Sequence, residues 1–267
     1  MKFVRFFTLI FISLNFFCAG PNQEVVKKAG GHRDLGISYL NEGNLSAAMK
    51  ELQEAEKLYA DDPELQNALG SVYHTKGIQP DYPCERIDNK IIDISMINNA
   101  EIHYKKAIKL NDNYSEAHNN LGVLYLNMER YDDAINEFNS ALKNMSYSTP
   151  ERAYVNMGWA YYKKKNYKDA ELNLKRAIQS APDFFIAHYN LGLLYRDRGN
   201  YKEAIKEFKL AIKYFPKYVD AYYDLAHTYL KIKRADYALS MFQKVCELAP
   251  GSKCCERSAQ YIEMLKK

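Results

Sequence analysis

Six copies of a 34-residue pattern run along this chain, and that period constrains its fold more than any other feature. Each copy has a Leu-Gly-like pair and a Tyr three residues later; in every copy but the second an Ala follows twelve residues after the pair, and in all six a further small residue lies seven beyond the Ala. With the Gly numbered position 8, the copies start at Ala29, Pro63, Ser115, Glu151, Phe185 and Val219. Position 8 then holds Gly36, Gly70, Gly122, Gly158, Gly192 and Ala226, and position 11 is Tyr throughout, from Tyr39 to Tyr229. Position 20 is Ala in every copy, and position 27 runs from Ala55 to Ala211 with Val245 in the last. Such columns predict two helices per copy, A over positions 1–14 and B over 18–31. Small residues at 8, 20 and 27 let the two backbones approach, and large ones at 7, 11, 17 and 24 fill the space around them. Gly43, Gly77 and Gly199 at position 15 mark the turn, and Pro182, Pro216 and Pro250 at position 32 stop helix B. One copy cannot bury its apolar face alone, so neighbours must stack into an all-α solenoid.

These residues resemble the tetratricopeptide repeat family over positions 29–252. The resemblance implies a right-handed superhelix of six helix-turn-helix repeats, with the A helices lining a concave groove and residues 253–267 forming a C-terminal capping helix. It implies a protein-binding scaffold. The repeats use nearly the whole length, and there is no P-loop, dinucleotide fingerprint or His-Glu-x-x-His, so no enzyme, cofactor, metal or small-molecule substrate is expected. The net charge of +4 is too mild to argue for nucleic acid. His32, His118 and His188 share position 4 and read as structural histidines.

The first residues differ in composition. Met1–Arg5 is basic, Phe6–Phe17 apolar and Cys18-Ala19-Gly20 small, which reads as an export leader. A Cys ending such a leader resembles a bacterial lipoprotein site, implying residues 1–17 as signal peptide, Cys18 as the acylated first mature residue and 18–28 as a tether. Asn15 and Phe17 stand where that pattern prefers Leu and a small residue, so soluble secretion and an uncleaved anchor stay open. Repeat two carries eighteen extra residues between Gly70 and Ala100. The insertion, about 78–97, reads as a surface loop at Pro80 and Pro83, with Ile87, Ile91 and Ile94 at helical spacing and Tyr82 and Cys84 as candidate contacts.

The family's groove positions direct attention to the copies' differences. Position 6 carries a run of Asn120, Asn156 and Asn190, whose amides can pair with an extended peptide. Trp159, Tyr162, Tyr189 and Tyr223, flanked by Arg152 and Arg196, make the C-terminal half of the expected groove aromatic. Trp, Tyr and Arg are the types enriched in interface hot spots. The architecture also brings position 28 of repeat six beside position 3 of the capping helix, implying a Cys246–Cys255 disulfide with Cys254 as the alternative partner, or unpaired thiols. Six repeats, a cap and a Cys-ended leader together resemble the type IV pilus pilotins, the PilF/PilW/Tgl group. That implies an outer-membrane lipoprotein facing the periplasm, which holds an extended or helical segment of a secretin subunit and assists secretin assembly. The alternative is a general envelope scaffold for peptidoglycan or outer-membrane assembly.

Overall fold

The computed structural model describes residues 22–78 and 92–266. The leader with Cys18, and Tyr82, Cys84, Ile87 and Ile91 of the insertion, lie outside the described residues. The described residues form six helical hairpins and a final helix. The hairpins are α1 (Gln23–Asn41) with α2 (Leu45–Leu58), α3 (Pro63–Gly77) with α4 (Ile94–Leu110), and α5 (Ser115–Asn127) with α6 (Tyr131–Lys143). They continue with α7 (Pro150–Lys163) and α8 (Tyr167–Ser180), α9 (Phe185–Asp197) and α10 (Tyr201–Tyr214), and α11 (Val219–Lys231) and α12 (Ala235–Leu248). The last helix is α13 (Lys253–Leu265). From α1 to α11, the first helices of successive hairpins touch one another, whereas successive second helices do not pair in this way. The first helices therefore form the shorter, inner layer of the superhelix and the second helices its outer layer.

Each hairpin closes on one contact. Position 24 of helix B holds Leu52, Tyr104, Phe138, Leu174, Phe208 and Phe242, all at most 1% exposed. These side chains lie directly on position 8 of helix A. A Cβ added at Gly122 would stand 2.5 Å from the Phe138 ring, and one at Gly192 would stand 2.8 Å from Phe208. Position 8 is glycine in five copies because the ring or leucine at position 24 occupies the place of a side chain.

The hairpin turn explains position 15. Gly43 and Gly199 adopt φ of 77° and 78°, and Glu129, Lys165 and Lys233 hold the same left-handed geometry at 58–61°. That geometry lets the following N–H reach back to the position-11 carbonyl, as Asn166 does to Tyr161 and Asn200 to Tyr195, both at 2.9 Å. A non-glycine residue there costs about 1–2 kcal/mol. Lys165→Gly is accordingly expected to stabilise the protein by about 1 kcal/mol, seen as a raised midpoint in urea. Gly77 departs from this expectation. It is the last residue of α3, is buried, and its missing side chain makes room for Met96 and Ile97 of α4.

Two boundaries differ from those expected. Residues 23–28, expected in a tether, are the first turns of α1. Asn22 caps them by accepting from Glu24 N at 2.9 Å, and Val25 and Val26 are half buried. The insertion is shorter than 78–97 because α4 already starts at Ile94, capped by Asp93. Its neck is tied: Ile78 and Ile92 form an antiparallel bridge, and Asp93 N donates to Gly77 O at 2.8 Å.

Position 4 joins three pieces of chain. His118 and His188 each place Nδ1 2.7 Å from a carboxylate of the partner helix, Glu137 and Glu207. Their Nε2 atoms face carbonyls at the end of the preceding repeat, Asp112 at 3.1 Å and Pro182 at 2.9 Å. Both nitrogens face acceptors, so the doubly protonated ring satisfies the site best. Burial opposes that charge, but the carboxylate and carbonyl together outweigh it and raise both pKa values. A raised folded-state pKa gives stability that is whole below the ordinary imidazole value and is lost as pH rises through the folded value. Burial lowers the pKa of His103 and His227, which act in the opposite sense. Comparison with a variant isolates the position-4 effect. Gln66 of repeat two already bonds the equivalent carbonyl, Ala60 O, at 2.9 Å. In a His118→Gln, His188→Gln protein, the margin by which the natural chain is more stable should shrink between pH 6 and pH 8, measured as the difference in Tm.

The end of the array is held twice. Cys246 of α12 and Cys255 of α13 are bonded, with Cα atoms 4.4 Å apart. Tyr261 of α13 stacks on Phe242 at 4.9 Å and meets His227 edge-on at 4.8 Å.

Candidate functional site

The inner face is built from positions 5, 6, 9, 12 and 13 of the first helices. Hydrogen-bonded rungs cross it between position 5 of one helix and position 6 of the next. Asn120 Nδ2 donates to Asn67 Oδ1 at 3.0 Å, and Asn156 Nδ2 to Asn119 Oδ1 at 3.2 Å. Between repeats five and six the rung is Tyr189 OH donating to Asp224 Oδ2 at 2.7 Å. Between repeats four and five position 5 is Val155, which has nothing to offer. Asn190 makes no hydrogen bond among the described residues and is only half buried. The three-Asn run is therefore not uniform: Asn120 and Asn156 use a donor to hold neighbouring helices in register, while the Asn190 amide is not committed to the scaffold.

The aromatic half divides in the same way. Trp159 and Tyr162, one turn apart on α7, stack at 4.8 Å with their planes 19° apart. Lys163 Nζ lies 5.8 Å from the Trp159 ring. The Tyr162 hydroxyl donates to Asp197 on the next first helix. Tyr189 is 8% exposed, so it is a packing residue with a bonded hydroxyl and not the exposed anchor that was expected. Arg196 forms ion pairs with Asp224 and, at 3.0 Å, with Asp197, and all three side chains are at most one-third exposed. Tyr223 is half buried against His227 at 4.5 Å, and burial raises its pKa. Arg152, at the entrance to α7, is exposed. The structure thus brings Trp159, Tyr162, Asn190 and Arg196 onto adjoining first helices, with Arg152 one turn or more from Trp159. It assigns Asn120, Asn156 and Tyr189 chiefly to the scaffold.

Asp197, Asn67 and Asn119 carry no signal in any single copy of the repeat. Reading position 5 of each repeat against position 6 of the next would have found the rungs. The resulting surface offers a flat π step, a fixed guanidinium–carboxylate pair and an uncommitted amide. It suits an extended or helical protein segment with one apolar side chain. Among the described residues no group of His, Cys, Asp and Glu is arranged to hold a metal ion.

Stacked helical hairpins with a side-chain-lined inner face define a repeat scaffold. The chain belongs to the tetratricopeptide repeat family: models described as TPR repeat or tetratricopeptide repeat match residues 36–77 and 192–233, 113–183, 173–206 and 219–252. Among curated proteins no sequence matches it. Solved structures share the fold. Pseudomonas aeruginosa PilF is 17% identical, with 89% of this chain and 99% of that one covered and a TM-score of 0.71. PilW, described as a widely conserved type IV pilus biogenesis factor, is 18% identical, with 86% and 98% covered and a TM-score of 0.73. YrrB, described as a TPR protein with an unusual peptide-binding site, is 19% identical, with 78% and 97% covered and a TM-score of 0.51. Among the described residues no helix is long and apolar enough to cross a membrane.

Proposed function

We propose that the chain is an exported adaptor, held at the outer membrane by acylated Cys18, that grips a segment of a secretin subunit in its concave groove and assists type IV pilus secretin assembly. The observation that carries the binding part of this reading is the stacked pair of Trp159 and Tyr162 on α7, with the uncommitted Asn190 on the adjoining first helix α9. An apolar side chain of the partner would lie on the rings, and the Asn190 amide would pair with its backbone. The pilus part draws support from the Cys-ended leader in the sequence and from the fold shared with PilF and PilW over 89% and 86% of this chain. The Cys246–Cys255 bond fits an oxidising compartment outside the cytosol.

Deletion of the gene, with secretin multimers followed on gels without heating, tests the pilus role. Loss of multimers, restored by the natural chain and not by a Trp159→Ala, Asn190→Ala form, is expected. Multimers that persist in the deletion strain would refute a secretin role and leave the alternative envelope partners. Labelling with palmitate, with and without Cys18→Ser, tests the anchor.

A further inference from the structure

The modest net charge conceals a division along the array. Residues 22–130 carry 12 Lys and Arg against 17 Asp and Glu, whereas residues 131–267 carry 23 against 16. Part of that excess lies on the outer layer at α10. Lys202, Lys206, Lys209 and Lys213 follow one another at i, i+4, i+7 and i+11, which places them along one face of the helix, and all four are exposed. No other repeat has a basic residue at all four of these outer positions: α8 has Lys168, Leu172, Lys175 and Gln179, and α12 has Asp236, Ser240, Gln243 and Glu247.

Some lysines of other second helices have a carboxylate close by, as Lys57 has Glu54, Lys105 has Glu101, Lys175 has Glu171 and Lys244 has Glu247, all within 2.7 Å, while others, such as Lys50, Lys109 and Lys143, stand singly among the described residues. None of the four α10 lysines has an acidic partner within ion-pair distance among the described residues. The stripe runs into two exposed aromatics, Tyr214 and Phe215, followed by exposed Lys217.

From these observations we infer that the outer face of α10 rests on an anionic phospholipid surface, with Phe215 entering the headgroup layer. This reaches beyond the groove reading, because it uses the opposite layer of the solenoid and needs no acyl chain. A lysine is a strongly hydrated, mobile point charge that suits a diffuse field of headgroups. A protein partner is disfavoured because lysine is depleted at protein interfaces, where arginine and aromatics dominate. Aromatic side chains beside lysines are what a membrane–water interface accommodates.

Vesicle co-sedimentation of the full chain carrying Cys18→Ser tests it, using vesicles of phosphatidylcholine alone and of phosphatidylcholine with one-third phosphatidylglycerol. Binding by the leader, whose Lys2 and Arg5 also favour anionic lipid, is common to every form of the chain, so the readout is the difference between the natural chain and its α10 variants on the same vesicles. The chain is expected to favour the anionic vesicles, and that preference to fade in high salt. A Lys202→Gln, Lys206→Gln, Lys209→Gln, Lys213→Gln form should lose on the order of a hundredfold in anionic partitioning. The corresponding Lys→Arg form should keep it, and both should retain natural helicity by circular dichroism. Equal binding to the two lipids, or a Gln form that partitions like the natural chain, would overturn the inference. So would a stripe that is needed to bind polyglutamate but not vesicles, which would assign the face to an acidic protein.

Discussion

Truncating Phe138 to Ala is expected to destabilise the protein by about 3–5 kcal/mol. Phe138 is fully buried at the centre of the array, its ring lies where a side chain on Gly122 would be, and Leu121, Leu124 and Met157 belong to the same cluster. The cavity left behind is bounded by two helices of its own repeat and by α7, so it cannot close without moving a repeat boundary. In a solenoid each repeat touches only its neighbours, and weakening a central one uncouples those on either side. The expected signature is therefore a single urea transition becoming two, with amide protection lost first in α5 and α6 by hydrogen exchange. A single transition displaced by less than about 1 kcal/mol would show that Phe138 is not a keystone of the core.

Trp159→Ala gives the largest expected effect on binding, a loss of at least thirtyfold in affinity for the protein partner, corresponding to about 2 kcal/mol or more. The ring is only partly buried, stacks on Tyr162 and packs from outside on the cluster that includes Tyr189, Leu193 and Phe208, so its removal takes away contact area without opening the core. Helicity should be unchanged and the urea midpoint should fall only slightly. Asn190→Ala should act in the same direction by a smaller factor, because a neutral hydrogen bond is worth about 1 kcal/mol. Asn156→Ala differs: it removes the rung to Asn119, so it should lower stability as well as affinity. If Asn156→Ala and Asn190→Ala prove alike in both measurements, the distinction between committed and uncommitted amides is wrong.

Most of the fold was legible because its determinants are local and repeated. Gly at position 8, Tyr at 11 and Ala at 20 each report a backbone approach or a ring contact that recurs every 34 residues, and six copies average out accident. The turn was legible only in part: Gly43 and Gly199 announced a left-handed residue, but Glu129, Lys165 and Lys233 adopt it under pressure from the helices on either side. Gly77 looked like the same signal and is instead a close-packing residue at the neck of the insertion. The groove was less legible because its character depends on pairs of residues 30 or more positions apart. Whether an Asn faces a partner or a neighbouring Asn is decided by position 5 of the adjoining helix, where Val155 frees Asn190 and Asn119 engages Asn156. Tyr189 looked like an anchor by residue type, yet the carboxylate of Asp224 across the repeat boundary holds its hydroxyl inside.

The central claim, that the inner face of repeats four and five grips a protein, is tested most directly by a photoreactive phenylalanine placed in living cells. One position is 163, beside Trp159 on the inner layer, and the other is 136, exposed on the outer face of α6. A discrete adduct with an envelope protein is expected from position 163, abolished by Trp159→Ala, and none from position 136. Adducts of equal strength from both positions, or an adduct at 163 that survives Trp159→Ala together with Asn190→Ala, would contradict it.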